Sequence, residues 1–251
     1  MTRACLVRGM LVGILAGLLS FGFLKVYGEP QVAVALAFET QMDIAKENAE
    51  RAKGMPAHEE SDELVSREVQ AGLGLFTAVM VYSTAFGGLF GLAFAFAYGR
   101  MPGAFTPQAA SLLLAAAGFV AIYLVPNLKY PASPPSVGNP DTIGMRTALY
   151  FVMIAISVAA MIGAVSLKRL LVARFGDWNS TFMVAAYYIV IVIAAGLLLP
   201  AVNEVPVGFP AVVLWKFRVA SIGAQFIMWM TLGVLFGAAA ERAFAAGAAR
   251  A

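Results

Sequence analysis

Six stretches of the chain, about residues 6–27, 70–98, 108–126, 147–167, 180–200 and 217–240, are apolar and contain no aspartate, glutamate or histidine. A helix needs roughly 20 apolar residues to cross the hydrocarbon core of a bilayer. Each stretch is about that long, so the pattern predicts an all-α, polytopic integral membrane protein with six transmembrane helices. Composition agrees. Of the 251 residues, 61% are hydrophobic and only 12% charged, against about 25% charged in a typical soluble domain. Too few polar side chains remain to coat a water-facing core of this size. The chain reads as a single membrane domain over residues 1–251.

Proline marks ends. Pro126 and Pro200 close the third and fifth stretches, where a missing N–H and a clash with the preceding turn stop a helix. The first stretch opens on Arg3 and Arg8 and could be taken for a signal peptide. Its apolar run is long, and Glu29 and Pro30 precede any small-residue cleavage site. A retained first helix is therefore expected.

Charge is sorted along the chain. With six spans, one side carries Arg3, Arg8, Arg100, Lys168, Arg169, Arg174, Arg242 and Arg250, with only Asp177 and Glu241 as acids; the opposite side carries the other twelve of the fourteen acids. The short basic segment "LKRLLVARF" at 167–175 is the clearest inside signal under the positive-inside rule. The termini are thus expected in the cytoplasm.

The acids concentrate in an expected extracytoplasmic loop over residues 28–69, where ten acids face four basic residues, a net of about −6. Its first part reads as an amphipathic helix with a favourable i,i+4 pair, Glu47 and Arg51. Its last part, "MPAHEESDELVSR", holds the only histidine, His58, beside Glu59, Glu60, Asp62 and Glu63. On a helix, His58 and Asp62 share a face, as do Glu59 and Glu63. Imidazole with carboxylate oxygens suits a first-row divalent ion such as cobalt or nickel, held weakly, because one histidine cannot close a tight site. The alternative is a plain solvated acidic loop.

Two further outer loops, "LVPNLKYPASPPSVGNPDT" and "LLPAVNEVPVGFP", are dense in proline. They would stiffen a vestibule formed with the end of the first span, with Glu29, Asn127, Lys129, Asp141, Asn203 and Glu204 at its mouth, or else serve as rigid connectors. All three outer loops share a plan: an acid (Glu29, Asp141, Glu204), then an arginine leading the next span (Arg67, Arg146, Arg218). Either the chain is built from three helical-hairpin repeats, or membrane loops simply reuse these residues.

Glycines at four-residue spacing, Gly9, Gly13 and Gly17 in the first span, Gly87 and Gly91 in the second, Gly233 and Gly237 in the sixth, allow close backbone approach. They serve internal packing, a partner helix or a second copy of the chain.

Several activities are excluded. No P-loop, H-E-x-x-H, G-x-S-x-G or C-x-x-C pattern exists, so the chain is not expected to be an enzyme or to hold a cofactor. No basic tract with interleaved aromatics suggests a nucleic acid. The spans' lack of carboxylates, which commonly mark proton relays, leaves a path lined by neutral groups such as Thr77, Ser83, Thr84, Tyr123, Ser157, Tyr187 and Gln225.

The segments "KVYGEPQVAVALAFE", "VSREVQAGLGLF", "AFAYGR", "FVAIYLVPNLKYPASPPSVGNPDTIGMRTALYF", "LLLPAVNEVPVGFPAVVLWKFRVAS" and "FGAAAER" resemble the probable cobalt transporter subunit CbtA family over residues 6–243. The resemblance implies a bacterial membrane subunit for uptake of cobalt, or another divalent cation such as nickel, linked to cobalamin synthesis. It also implies a small one-span partner, CbtB-like, alongside the lipid bilayer. Relatives carry more histidine in the first outer loop, and this chain keeps only His58. The rival reading is a non-transporting scaffold that binds a partner membrane protein.

Overall fold

The computed structural model describes residues 2–53, 65–100, 105–135 and 137–248, and among them there are helices and loops but no strand. Five helical segments are long and apolar enough to cross a membrane: α1 (Thr2–Ala52), α2 (Arg67–Tyr98), α3 (Pro107–Lys129), α4 (Pro140–Leu198) and α5 (Ala211–Ala245). The expectation of six is corrected to five, because the fourth and fifth stretches lie in one 59-residue segment, α4.

That segment is not straight. Gly176 sits at φ 75°, ψ 167°, a conformation essentially restricted to glycine. The Ser157 and Tyr188 hydroxyls are 2.8 Å apart across 31 residues, a separation that a straight helix would stretch to about 46 Å. The two arms of α4 therefore lie side by side. Lys168 and Asp177, 3.1 Å apart, bridge across the bend.

The first part of the loop expected over residues 28–69 is helical, as its amphipathic pattern implied. Helix α1 runs unbroken through Glu29 and Pro30 to Ala52, and the Glu47–Arg51 pair lies on it at 2.6 Å. Likewise Pro126 does not end α3, which continues to Lys129. Both prolines follow a π-helical turn, Leu24–Gly28 in α1 and Phe119–Leu124 in α3. Each turn contains the residue four before the proline (Val26, Ile122), whose carbonyl a proline ring would meet in a regular helix. The wider turn relieves that clash. Pro200 stands just beyond the end of α4, as expected. Thr106 accepts a hydrogen bond from Ala109 N–H at 3.1 Å, and Pro107 takes the first helical position, so α3 starts cleanly.

The core lies among α1, α2, α3 and α5. Phe90 and Phe94 of α2 meet Phe236 of α5 edge to face, with centroids 5.4 and 5.0 Å apart, and Phe86 meets Trp229 at 4.9 Å. Backbone carbonyls at close crossings accept from small hydroxyls: Ser111 Oγ donates to Gly233 O at 2.9 Å, and Ser20 Oγ to Ala224 O at 3.1 Å. Leu11, Leu15, Leu89, Phe96, Ile162, Ile189 and Leu197 face outwards. On a soluble protein that coat would aggregate; against lipid it is the required surface.

Candidate functional site: a cavity at one end of the bundle

Two ends of the bundle differ in chemistry. At one, Arg169 of the α4 bend donates to the carbonyl of Arg100 after α2, at 3.2 Å, so the basic segment 167–175 and the α2–α3 connection share that end. The two proline-rich loops lie at the other, around a cavity of about 660 Å³.

The loops are tied down residue by residue. Asn127, buried near the end of α3, accepts from Ala132 N–H at 3.1 Å. Tyr130 donates to Pro200 O at 2.9 Å, linking one proline-rich loop to the other. Arg218 Nε of α5 donates to Ala132 O at 3.3 Å. Asn139 caps the short turn Pro140–Thr142 by accepting from Asp141 N–H at 3.0 Å.

Glu204 is the staple between the loops. One carboxylate oxygen accepts from Asn139 N–H at 2.7 Å, the other from Thr142 Oγ1 at 2.7 Å, and Arg146 Nε stands 3.4 Å away. The Thr142 hydroxyl, the Asn139 amide and the arginine together hold the Glu204 carboxyl below its ordinary value of 4.5. A depressed carboxyl contributes its stabilisation in full above that ordinary value and loses it as pH falls through the lower folded-state value. A spin label attached at neutral pH to a cysteine placed at the exposed Asn203 should therefore gain mobility as the pH falls below 4.5. Glu204→Gln should flatten that response.

The structure brings together some of the expected vestibule residues and separates others. Asn127, Asn203 and Glu204 line the cavity, with Tyr123, Tyr130, Thr147, Tyr150, Arg146 and Arg218. Lys129 and Asp141 are not among the lining residues; Lys129 Nζ lies 5.7 Å from the Tyr130 ring centre. Glu29 sits at the α1 π-helical turn and pairs with Arg67 of α2, beside Lys25, which donates to Ala71 O at 2.9 Å. Of the acid–arginine plan, Glu29 therefore pairs within its own loop, whereas Glu204 of the third loop pairs with Arg146 of the second. The five residues His58, Glu59, Glu60, Asp62 and Glu63 lie outside the described residues. Among the described residues no group of three or more histidine, cysteine or acidic side chains could hold a metal ion.

The glycines sort by element. Gly9 and Gly13 of α1 lie against Gly87, Gly91 and Ser83 of α2 so closely that an added Cβ would overlap backbone, and Gly17 lies against the Ser83 side chain. Gly233 and Gly237 of α5 receive Ala115, Ser111 and Gln108 of α3.

Neither the curated proteins nor the solved structures give a match to this chain. A family model described as "Probable cobalt transporter subunit (CbtA)" matches residues 2–241. With nearly its whole length matched, and five apolar helices long enough to cross a bilayer, the chain belongs to the CbtA family of probable cobalt transporter subunits.

Proposed function

We propose that this chain is the membrane subunit through which cobalt is taken up, that the 660 Å³ cavity is its outer mouth, and that the system serves cobalamin synthesis. The cavity is the observation that carries the reading: a hollow with Asn127, Asn203, Glu204, Arg146 and Arg218 in its lining, bounded by stapled loops, at one end of a lipid-facing bundle. In this reading each arm of α4 crosses the membrane, giving six crossings and cytoplasmic termini in the inner membrane. The basic α4 bend and Arg100 then share the cytoplasmic end, in line with the positive-inside rule, and the cavity faces outwards. The acidic segment around His58 raises the local concentration of dications, nickel as well as cobalt. Energy comes from elsewhere, since the sequence has no nucleotide-binding pattern, and a small one-span CbtB-like subunit or a second copy completes the system.

Cobalt flux into liposomes carrying the purified chain, with and without that small subunit, tests the reading. Flux above empty vesicles in either arm supports it. No flux in both arms favours the scaffold, the rival that the absence of carboxylates in the six apolar stretches speaks for. Replacing His58, Glu59, Glu60, Asp62 and Glu63 together should raise the cobalt concentration for half-maximal flux several-fold. An unchanged concentration dependence would reduce that segment to solvated surface.

A further inference from the structure

The charge of the cavity lining does not match a bare dication. Two arginines, Arg146 and Arg218, face one carboxylate, Glu204, and arginine stays protonated at any physiological pH. Glu204 is already occupied by Asn139, Thr142 and Arg146. A free Co²⁺ entering here meets net positive charge and no available carboxylate.

Donors, by contrast, are left over. Among the described residues, Arg218 uses only Nε, towards Ala132 O, so both terminal nitrogens remain free. Arg146 turns Nε towards Glu204 and donates from Nη2 to Asn139 O at 3.2 Å, and its Nη1 has no hydrogen-bond acceptor among the described residues. The Tyr150 hydroxyl lines the same space with no hydrogen-bond partner among the described residues. Guanidinium groups match carboxylates geometrically, donating two parallel N–H bonds to the two carboxylate oxygens. Size agrees as well. At about 30 Å³ per water, a dication with six waters occupies roughly 200 Å³. The cavity, at about 660 Å³, falls in the range of roughly 300–1,000 Å³ that suits small organic ligands.

We infer that this cavity binds a small polycarboxylate anion, alone or holding a divalent metal, through Arg218, Arg146 and Tyr150. The metal-holding form deepens the proposed cobalt uptake and rests on it: cobalt would arrive as a chelate whose carboxylates cancel the arginine charge. The anion site itself stands on the cavity alone.

The test is titration calorimetry on the full chain in detergent at pH 7, with citrate, cobalt–citrate, cobalt chloride and inorganic phosphate as separate probes. Citrate or cobalt–citrate should bind saturably, and Arg218→Gln should weaken that binding at least tenfold. Tyr150→Phe, which keeps ring and packing, should weaken it several-fold and guards against misfolding of the arginine variant. No saturable binding of either citrate form, binding indifferent to both substitutions, or phosphate bound as tightly as citrate would overturn the inference. Saturable cobalt chloride binding lost in Glu204→Gln and retained in Arg218→Gln would also overturn it, while leaving the cobalt-uptake reading intact. Citrate binding as expected, with no cobalt flux in liposomes, would keep the anion site and remove the transport reading.

Discussion

Gly87→Leu should prevent α1 and α2 from packing and leave little correctly assembled protein. A side chain at position 87 would overlap the carbonyl of Gly9 and reach the Gly13 Cα at 2.8 Å and N at 3.0 Å. These are backbone atoms, so no rotamer change relieves the overlap; one helix must move off the other. Moving it also strips contacts around Cys5, Val12 and Ala16, part of the core shared with Phe90 and Phe94. Overpacking costs about 1–3 kcal/mol and sometimes more, and a clash against rigid backbone belongs at the top of that range. The control lies on α1 itself. At Gly22 an added Cβ meets nothing within 4 Å, so Gly22→Leu should be tolerated. Size-exclusion profiles and thermal unfolding in detergent separate the two. Equal behaviour of both variants would show that the glycine seam is not what holds α1 to α2.

Gly176→Val should open the α4 hairpin. At φ 75°, ψ 167° any Cβ is strained, a β-branched one most, at a cost of order 1–3 kcal/mol. The cheapest relief is to return the residue to helical angles. That would straighten a 59-residue segment to about 88 Å, nearly three times the thickness of a hydrocarbon core of about 30 Å. The Ser157–Tyr188 hydrogen bond would be lost with it. Ser157 is fully buried, so Ser157→Cys in a Cys5→Ala background should resist thiol reagents in the parent chain and react readily once Gly176→Val is added. A cysteine at 157 that stays unreactive in the double variant would mean that other contacts, not the glycine, hold the arms together.

These two sites show what was readable in the sequence. The apolar stretches could be read directly, because the bilayer selects on composition over roughly 20 residues. Where stretches join was not readable. Hydropathy registers which residues are present, not whether a turn closes i→i+4 or i→i+5 bonds, so the π-helical turns that carry helices past Pro30 and Pro126 left no mark in it. Gly176 was visible as a glycine between "LVARF" and "DW", yet its angles depend on the tertiary contact between the arms. At the cavity, proline density and the side chains of Asn127, Asn203 and Glu204 singled out the loops that bound it. The partnership of Glu204 with Arg146 crosses two loops, and nothing local in the sequence distinguishes it from a pairing with Arg218. For the same reason Asp141, equally acidic and also in a proline-rich loop, could not be separated from Glu204 before the fold placed it off the cavity lining.

The central claim is that cobalt passes through the cavity between the two proline-rich loops. Asn203 is exposed and lines it, and the lone native thiol, Cys5, is buried. The most direct measurement is cobalt accumulation by cells expressing Asn203→Cys in a Cys5→Ala background, before and after a bulky thiol reagent that cannot cross membranes. The account predicts labelling in intact cells and loss of cobalt accumulation once labelling is complete. Full labelling with undiminished accumulation, or no labelling until the membrane is broken, would contradict it.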